Sequence, residues 1–219
     1  MSLSVPQIAV LLSGAGTNLK AIHQAIGAGH LKAAIALVVS SKAAAPGLIW
    51  AKKQGIPVQV VELQSGESRL EYDSRLLASL ERQQVDCVVL AGFMRQLSGV
   101  MVTPFLGKLI NIHPSLLPRY PGLNTHQRAL EAQDLEHGCS VHYVIEALDA
   151  GPLIGQRRLQ VALSTTAEDL KSRVQKLEYE LYWRCIQAVV QGDVVFESGR
   201  VRWKTEKIAL GLGVAPEVK

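Results

Sequence analysis

Short apolar runs alternating with helix-patterned stretches constrain this chain more than anything else in it. Residues 7–12, 34–39, 58–61, 86–91 and 109–112 read as buried strands, the first running into Gly14 and the fourth ended by Gly92. Between them, Leu19, Ile22 and Ile26 share a helical face, and a stretch opened by Pro46 is closed by Gly55 and Pro57. Ser68-Arg69-Leu70-Glu71 has the spacing of a capping box, and the helix it starts is expected to bury Leu70, Leu77, Leu80 and Gln84. Strand–helix–strand repetition requires crossovers, and these are right-handed. The expectation is an α/β fold, a mostly parallel twisted sheet with helices on both faces.

After residue 115 the pattern changes. Residues 138–145 and 153–163 read as two longer strands joined by the turn Asp149-Ala150-Gly151-Pro152. Thr165 and Glu168 are spaced as a second capping box, opening a long C-terminal helix that runs to about Gln191. Leu170, Val174, Leu177, Leu181, Cys185 and Val189 repeat along it at three and four residues. Residues 194–203 read as a terminal hairpin turned at Ser198-Gly199. No linker, repeat or low-complexity stretch interrupts the chain, so one domain over 1–219 is expected.

Composition narrows the function classes. Apolar residues make up 48% and charged residues 19%, ordinary for a compact soluble fold. No apolar run approaches the ~20 residues of a membrane helix and none resembles a targeting segment, so a cytoplasmic protein is expected. The net charge of +4 is scattered, with Lys52-Lys53 and Arg157-Arg158 the main doublets, which argues against nucleic acid and leaves room for a small anionic substrate. Cys87, Cys139 and Cys185 are odd in number and lack metal or redox spacing, and they read as buried thiols.

The first strand runs into Ser13-Gly14-Ala15-Gly16-Thr17-Asn18-Leu19 and then a helix. Small residues let backbone N–H groups converge at a helix N-terminus, where an anion fits, with Thr17 and Asn18 able to cap the helix or reach phosphate oxygens. A tight strand-to-helix turn with no ligand would look the same. A dinucleotide is disfavoured, since Leu19 stands where the third glycine belongs and the second strand ends in Ser40-Ser41-Lys42 rather than an acid. No Gly-Lys-Ser/Thr follows for a Walker loop.

Asn111-Ile112-His113-Pro114-Ser115-Leu116-Leu117-Pro118-Arg119-Tyr120-Pro121-Gly122 is the richest stretch. It lies at the C-terminal end of the fifth strand, where open parallel sheets place their ligand crevice. Asn111 and His113 project to the same side of a strand, an amide and an imidazole suited to stabilising an oxyanion and moving a proton.

The whole segment resembles the folate-dependent formyltransferase superfamily, and within it the branch whose acceptor is glycinamide ribonucleotide. The likeness covers nearly the whole chain. It implies a Rossmann-like formyltransferase fold, with the N-terminal half phosphate-binding and the C-terminal half folate-binding and catalytic. Ser13 to Leu19 resembles the family's loop for the acceptor phosphate, which implies contacts from Gly16, Thr17 and Asn18. Ala91-Gly92-Phe93-Met94-Arg95-Gln96-Leu97 resembles its folate segment, so Met94, Arg95, Gln96 and Leu97, with Arg69 and Asn111, are implied on the folate side. Asn111 and His113 match its catalytic pair, and Glu146-Ala147-Leu148-Asp149-Ala150-Gly151-Pro152 resembles the loop carrying a third catalytic residue, Asp149. Glu178 falls where the family has an acceptor-binding glutamate. There are departures: Ala150 stands where a glycine is frequent, and Asn124 and Tyr179 where histidines are.

The resemblance implies formyl transfer from 10-formyltetrahydrofolate as co-substrate to the acceptor amine in purine (IMP) biosynthesis, with no metal. Both substrates are small molecules, no nucleic acid or membrane partner is expected, and a homodimer is the one assembly entertained. Rival members differ by added domains, C-terminal in a tRNA formyltransferase and N-terminal in a formyltetrahydrofolate deformylase. A non-catalytic folate or nucleotide binder would be expected to lack one of the three catalytic residues. The remaining histidines read blandly, His23 and His30 as solvated, His126 as a loop hydrogen-bonder, and His137 and His142 as no metal pair.

Overall fold

The structure, a computed structural model, describes residues 5–162 and 164–214. It divides into two compact units, Met1–Ile110 and Asn111–Lys219.

The first unit holds β1 (Gln7–Leu12), α1 (Thr17–Gly27), β2 (Ala34–Ser40), α2 (Pro46–Lys53), β3 (Val58–Val60), α3 (Arg69–Glu81), β4 (Cys87–Leu90), α4 (Gly99–Val102) and the start of β5 (Leu109–His113). Its strand order is β3-β2-β1-β4-β5, with β1 parallel to both β2 and β4. The chain winds outward from β1 to β3 and then returns to β1's other side at β4. Right-handed crossovers therefore send α1 and α2 to one face, and α3 and α4 to the other. The reversal makes a topological switch point at the C-terminal ends of β1 and β4. There the two loops touch, Ser13 N–H donating to the Gly92 carbonyl at 3.0 Å. β1 is central, and Ile8 to Leu12 are all 0% exposed, which is why that strand reads as a continuous apolar run.

The Ser68–Glu71 capping box forms as expected. The buried face of α3 is only partly the expected one: Leu80 is buried and Leu77 half-buried, but Leu70 is 56% exposed and Gln84 lies beyond the helix, while Tyr72, Asp73, Leu76 and Ser79 are buried. The apolar period pointed one way because Asp73 and Ser79, polar residues, occupy the inward face. His23 is half-buried and packs edge-on to Trp50 at 5.3 Å, so it is not fully solvated.

In the second unit, the sheet continues from β5 through β6 (Glu136–Tyr143) to β7 (Leu153–Gln160), which are antiparallel. Position 163 of the expected second strand lies outside the described residues. α5 (Thr125–Glu131), α6 (Ala167–Val190), the β8 (Val194–Glu197)–β9 (Arg200–Trp203) hairpin and α7 (Glu206–Gly211) complete the unit. Ser198 and Gly199 both have positive φ, 50° and 79°, as a tight hairpin turn requires. The long helix starts one residue later than its spacing indicated, with Thr166 Oγ1 accepting from Asp169 N–H at 3.1 Å. α4, α5 and α7 are too short to show a period. The three cysteines are buried, and burial pushes the Cys87 thiol up to about 12 and those of Cys139 and Cys185 up as well. No helix among the described residues is long and apolar enough to cross a membrane.

Candidate active site

The second unit gathers ionisable side chains at the end of β5. Asn111 and His113 leave the strand on the same side, Asn111 half-exposed and His113 5% exposed. Asp149 comes from the β6–β7 turn, where its φ of 49° is left-handed, and its side chain is 8% exposed. Gly151 lets this turn close: a Cβ there would lie 1.7 Å from the Tyr143 carbonyl oxygen, so the strand pair could not approach as it does.

Hydrogen bonds fix each ring. His113 Nε2–H donates to the Tyr120 carbonyl at 2.8 Å, leaving Nδ1 as its basic nitrogen, 3.4 Å from Asp149 Oδ2. The Gly122 N–H donates to that same Asp149 oxygen at 2.8 Å. His142 Nδ1–H donates to the Tyr143 carbonyl at 2.9 Å, so its Nε2 accepts from Asn111 Nδ2 at 3.2 Å and lies 3.7 Å from Asp149 Oδ1. One amide hydrogen of Asn111 is thus spent on orientation and the other remains for an incoming oxygen.

Charges follow from the surroundings. Burial lowers the His113 pKa, opposed by the Tyr120 carbonyl and the Asp149 carboxylate. Burial would raise Asp149, but His142, the Gly122 N–H and His113 outweigh it and hold the carboxyl below its usual value. The resting pair is a neutral imidazole beside a carboxylate, poised so that a proton arriving at Nδ1 is balanced at once.

The loop after β5 is stiff because side chains satisfy its backbone. Ser140 Oγ donates to the Ser115 carbonyl at 2.7 Å and accepts from Leu117 N–H at 3.0 Å. Thr125 Oγ1 donates to the Pro114 carbonyl at 2.7 Å, Arg128 to that of Pro121 at 2.6 Å, and Tyr120 OH to Asp134 at 2.7 Å. Pro118 follows a cis bond. His126 sits on α5, not in a loop, and its Nδ1 lies 3.1 Å from His137 Nε2. Asn124 takes a left-handed φ of 57°, which asparagine tolerates, as the residue before that helix. Glu178 is 8% exposed on α6. Among the described residues no three histidine, cysteine or acidic side chains are grouped to hold a metal.

In the first unit, Gly16 is the N-cap of α1, and no side chain caps that helix. Thr17 and Asn18 are therefore its first helical residues, and neither is the cap. Gly16 has φ 69°, and a Cβ there would lie 2.6 Å from Gly47 Cα, so only glycine fits. Arg69 is exposed at the start of α3. Met94 is 67% exposed and Leu97 buried, and the Arg95 guanidinium lies over the Tyr72 ring at 4.2 Å.

The sequence reading missed His142. Its signal is weak, a histidine inside an apolar strand, but it stands seven residues before Asp149 across a tight turn, and it holds the Asn111 amide.

An amide, an imidazole and a carboxylate converging at a strand end of a doubly wound fold suit the transfer of a group with a proton. The chain belongs to the formyl transferase family, which it matches over residues 6–186. Phosphoribosylglycinamide formyltransferase of Escherichia coli (strain K12) is 45% identical over 175 residues, 80% of this chain and 82% of that protein. The trifunctional purine biosynthetic protein adenosine-3 of Gallus gallus is 43% identical over 199 residues, and this chain spans only 20% of its length. Among solved structures, phosphoribosylglycinamide formyltransferase from Coxiella burnetii, in complex with CHES, has a TM-score of 0.87 and 44% identity, covering 90% of this chain and 93% of its own.

Proposed function

We propose that this chain is a cytoplasmic phosphoribosylglycinamide formyltransferase working as one domain over its two units. It transfers the formyl group of 10-formyltetrahydrofolate to the amine of glycinamide ribonucleotide, giving formylglycinamide ribonucleotide and tetrahydrofolate in purine biosynthesis. The observation that carries the reading is the Asn111, His113 and Asp149 cluster in a chain so similar to enzymes of that name.

The amine nitrogen attacks the formyl carbon, and the carbonyl electron pair moves to oxygen. The second amide hydrogen of Asn111 meets that oxyanion. His113 takes the attacking amine's proton at Nδ1, becoming a cation that Asp149 balances. The bond from carbon to the folate nitrogen then breaks as that nitrogen receives the proton held at His113. His113 thus relays one proton from the amine to the leaving nitrogen, with Asp149 beside it. Holding both substrates in reach supplies much of the remaining acceleration.

We assign the acceptor phosphate to the turn at Gly16, Thr17 and Asn18, with Glu178 on the acceptor. The folate is assigned to Arg69, Met94, Arg95, Gln96 and Leu97, with Asn111. The converging small residues and the glycine N-cap of α1 support the first assignment. The exposed Met94 beside an irregular backbone supports the second. The test is tetrahydrofolate formation with purified protein and both substrates. Release should require glycinamide ribonucleotide and slow ~100- to 1,000-fold in Asn111→Ala; release independent of the acceptor would contradict the reading.

A further inference from the structure

Residues 91–98 form neither helix nor strand, so their backbone groups must find partners elsewhere. Two buried side chains supply partners near its two ends. At one end, Ser13 N–H donates to the Gly92 carbonyl at 3.0 Å, and Ser13 Oγ accepts from Met94 N–H at 2.9 Å. At the other end, Asp73 Oδ2 accepts from both the N–H and the hydroxyl of Ser98, each at 2.6 Å. Between them the Arg95 guanidinium rests on the ring of Tyr72, whose own hydroxyl is tied to the Val61 carbonyl at 2.9 Å.

Both anchors are buried, Ser13 to 6% and Asp73 to 0% exposure. The Ser13 hydroxyl also lies 2.6 Å from that of Ser41, so one side chain at the switch point joins the ends of three adjacent strands, β2, β1 and β4. Asp73 is costly to keep: a carboxylate in an apolar interior, with Oδ1 lacking a hydrogen-bond partner among the described residues. An apolar side chain would serve packing better. What the carboxylate provides is direction, a double acceptor that fixes where the segment enters α4. Meanwhile Met94, a large apolar side chain, is left outside on the same segment.

We propose that Ser13 and Asp73 are positioning residues for the co-substrate, pinning the two ends of the 92–98 segment so that its backbone is presented in one shape. This rests on the reading of residues 94–97 as the folate side of the site. The chemistry recognised is a flat, hydrogen-bonding heterocycle, which needs a fixed line of backbone groups and is not helped by mobile ones.

The test uses the full chain with Ser13→Ala, Ser98→Ala, Ser13→Thr and Asp73→Asn. Ser13→Ala leaves the Met94 N–H without its acceptor, and Ser98→Ala removes one of the two bonds to Asp73. Each should raise KM for 10-formyltetrahydrofolate ~5- to 100-fold, the size of one disrupted buried hydrogen bond, with kcat within about threefold. In the ligand-free protein the amides of 93–98 should exchange faster by a similar factor. KM for glycinamide ribonucleotide should move less, least of all in Ser98→Ala. Ser13→Thr keeps the hydroxyl and Asp73→Asn keeps an acceptor oxygen, so both should stay near the wild-type KM. A lower melting temperature with unchanged folate KM and unchanged exchange would overturn the proposal, as would equal losses for both substrates. If the wild-type chain transfers no formyl group, the functional reading falls by itself. Exchange at 93–98, with and without tetrahydrofolate, then still decides: unaltered exchange in Ser13→Ala, or no protection by tetrahydrofolate, overturns the positioning role.

Discussion

The turn at residues 13–18 and the cluster at Asn111 are made of opposite materials. The turn is backbone: glycine at 16, a second glycine at 47 packed against it, and a helix start that no side chain caps. The cluster is side chains, each aimed by a hydrogen bond from another part of the unit. A backbone site tolerates any exposed side chain but no added Cβ. A side-chain site fails when one orienting partner is lost. The difference predicts how each will break.

The largest effect should come from the cluster itself. Asn111→Ala removes an oxyanion donor, which typically costs ~100- to 1,000-fold, and this should appear in kcat while both substrates still bind within roughly tenfold. His113→Ala and Asp149→Asn should fall on a similar scale. Because the three serve one charge transfer, a double variant should lose much less than the product of the single losses. Binding by calorimetry beside steady-state kinetics checks this, and variants that lose only affinity would erase the contrast.

Next comes His142, which orients without being assigned a chemical step. His142→Gln should lower kcat roughly 10- to 100-fold by freeing the Asn111 amide, with little change in KM. A kcat near wild type would show that the strand alone aims Asn111.

The turn should break differently. Gly16→Val forces a side chain into a left-handed position that costs ~1–2 kcal/mol, before its clash with Gly47. The acceptor KM should therefore rise at least ~5- to 30-fold, with the folate KM nearly unmoved. Equal changes in both would contradict the assignment of phosphate to this turn.

The difference in legibility has the same origin. β1 and the glycine turn were readable because neighbours in sequence build them: an apolar strand, then small residues, then a helical period. The capping box at Ser68 and the hairpin at Ser198-Gly199 were readable for the same reason. The inward face of α3 was not, since Asp73 and Ser79 are buried by what they bond to rather than by being apolar. Nor was His142, whose meaning depends on a residue one strand away. The Thr165 box was misplaced by one residue because Thr166 and Asp169 offer the same chemistry. Asn111 and His113 are legible as an amide and an imidazole on one side of a strand end, and the resemblance adds Asp149; their mutual distances are set by the fold.

The smallest expected effect is on stability with pH. Burial lowers the pKa values of His113 and His137, and takes His126 from 6.5 to about 4. A folded histidine with a depressed pKa refuses protons that the unfolded chain accepts, so stability is whole above about 6.5 and declines as pH falls toward 4. Asp149, depressed below 3.8, loses its contribution only at still lower pH. Melting temperatures measured from pH 7 to 4 should decline, and His126→Gln should flatten that slope.

The most direct test of the central claim follows the formyl carbon. With 10-formyltetrahydrofolate labelled in that carbon and one equivalent of glycinamide ribonucleotide, the label should appear in formylglycinamide ribonucleotide, matched one to one by tetrahydrofolate. In Asn111→Ala the same product should form, slower by ~100- to 1,000-fold. Label recovered as free formate, at a rate indifferent to the acceptor, would contradict the account.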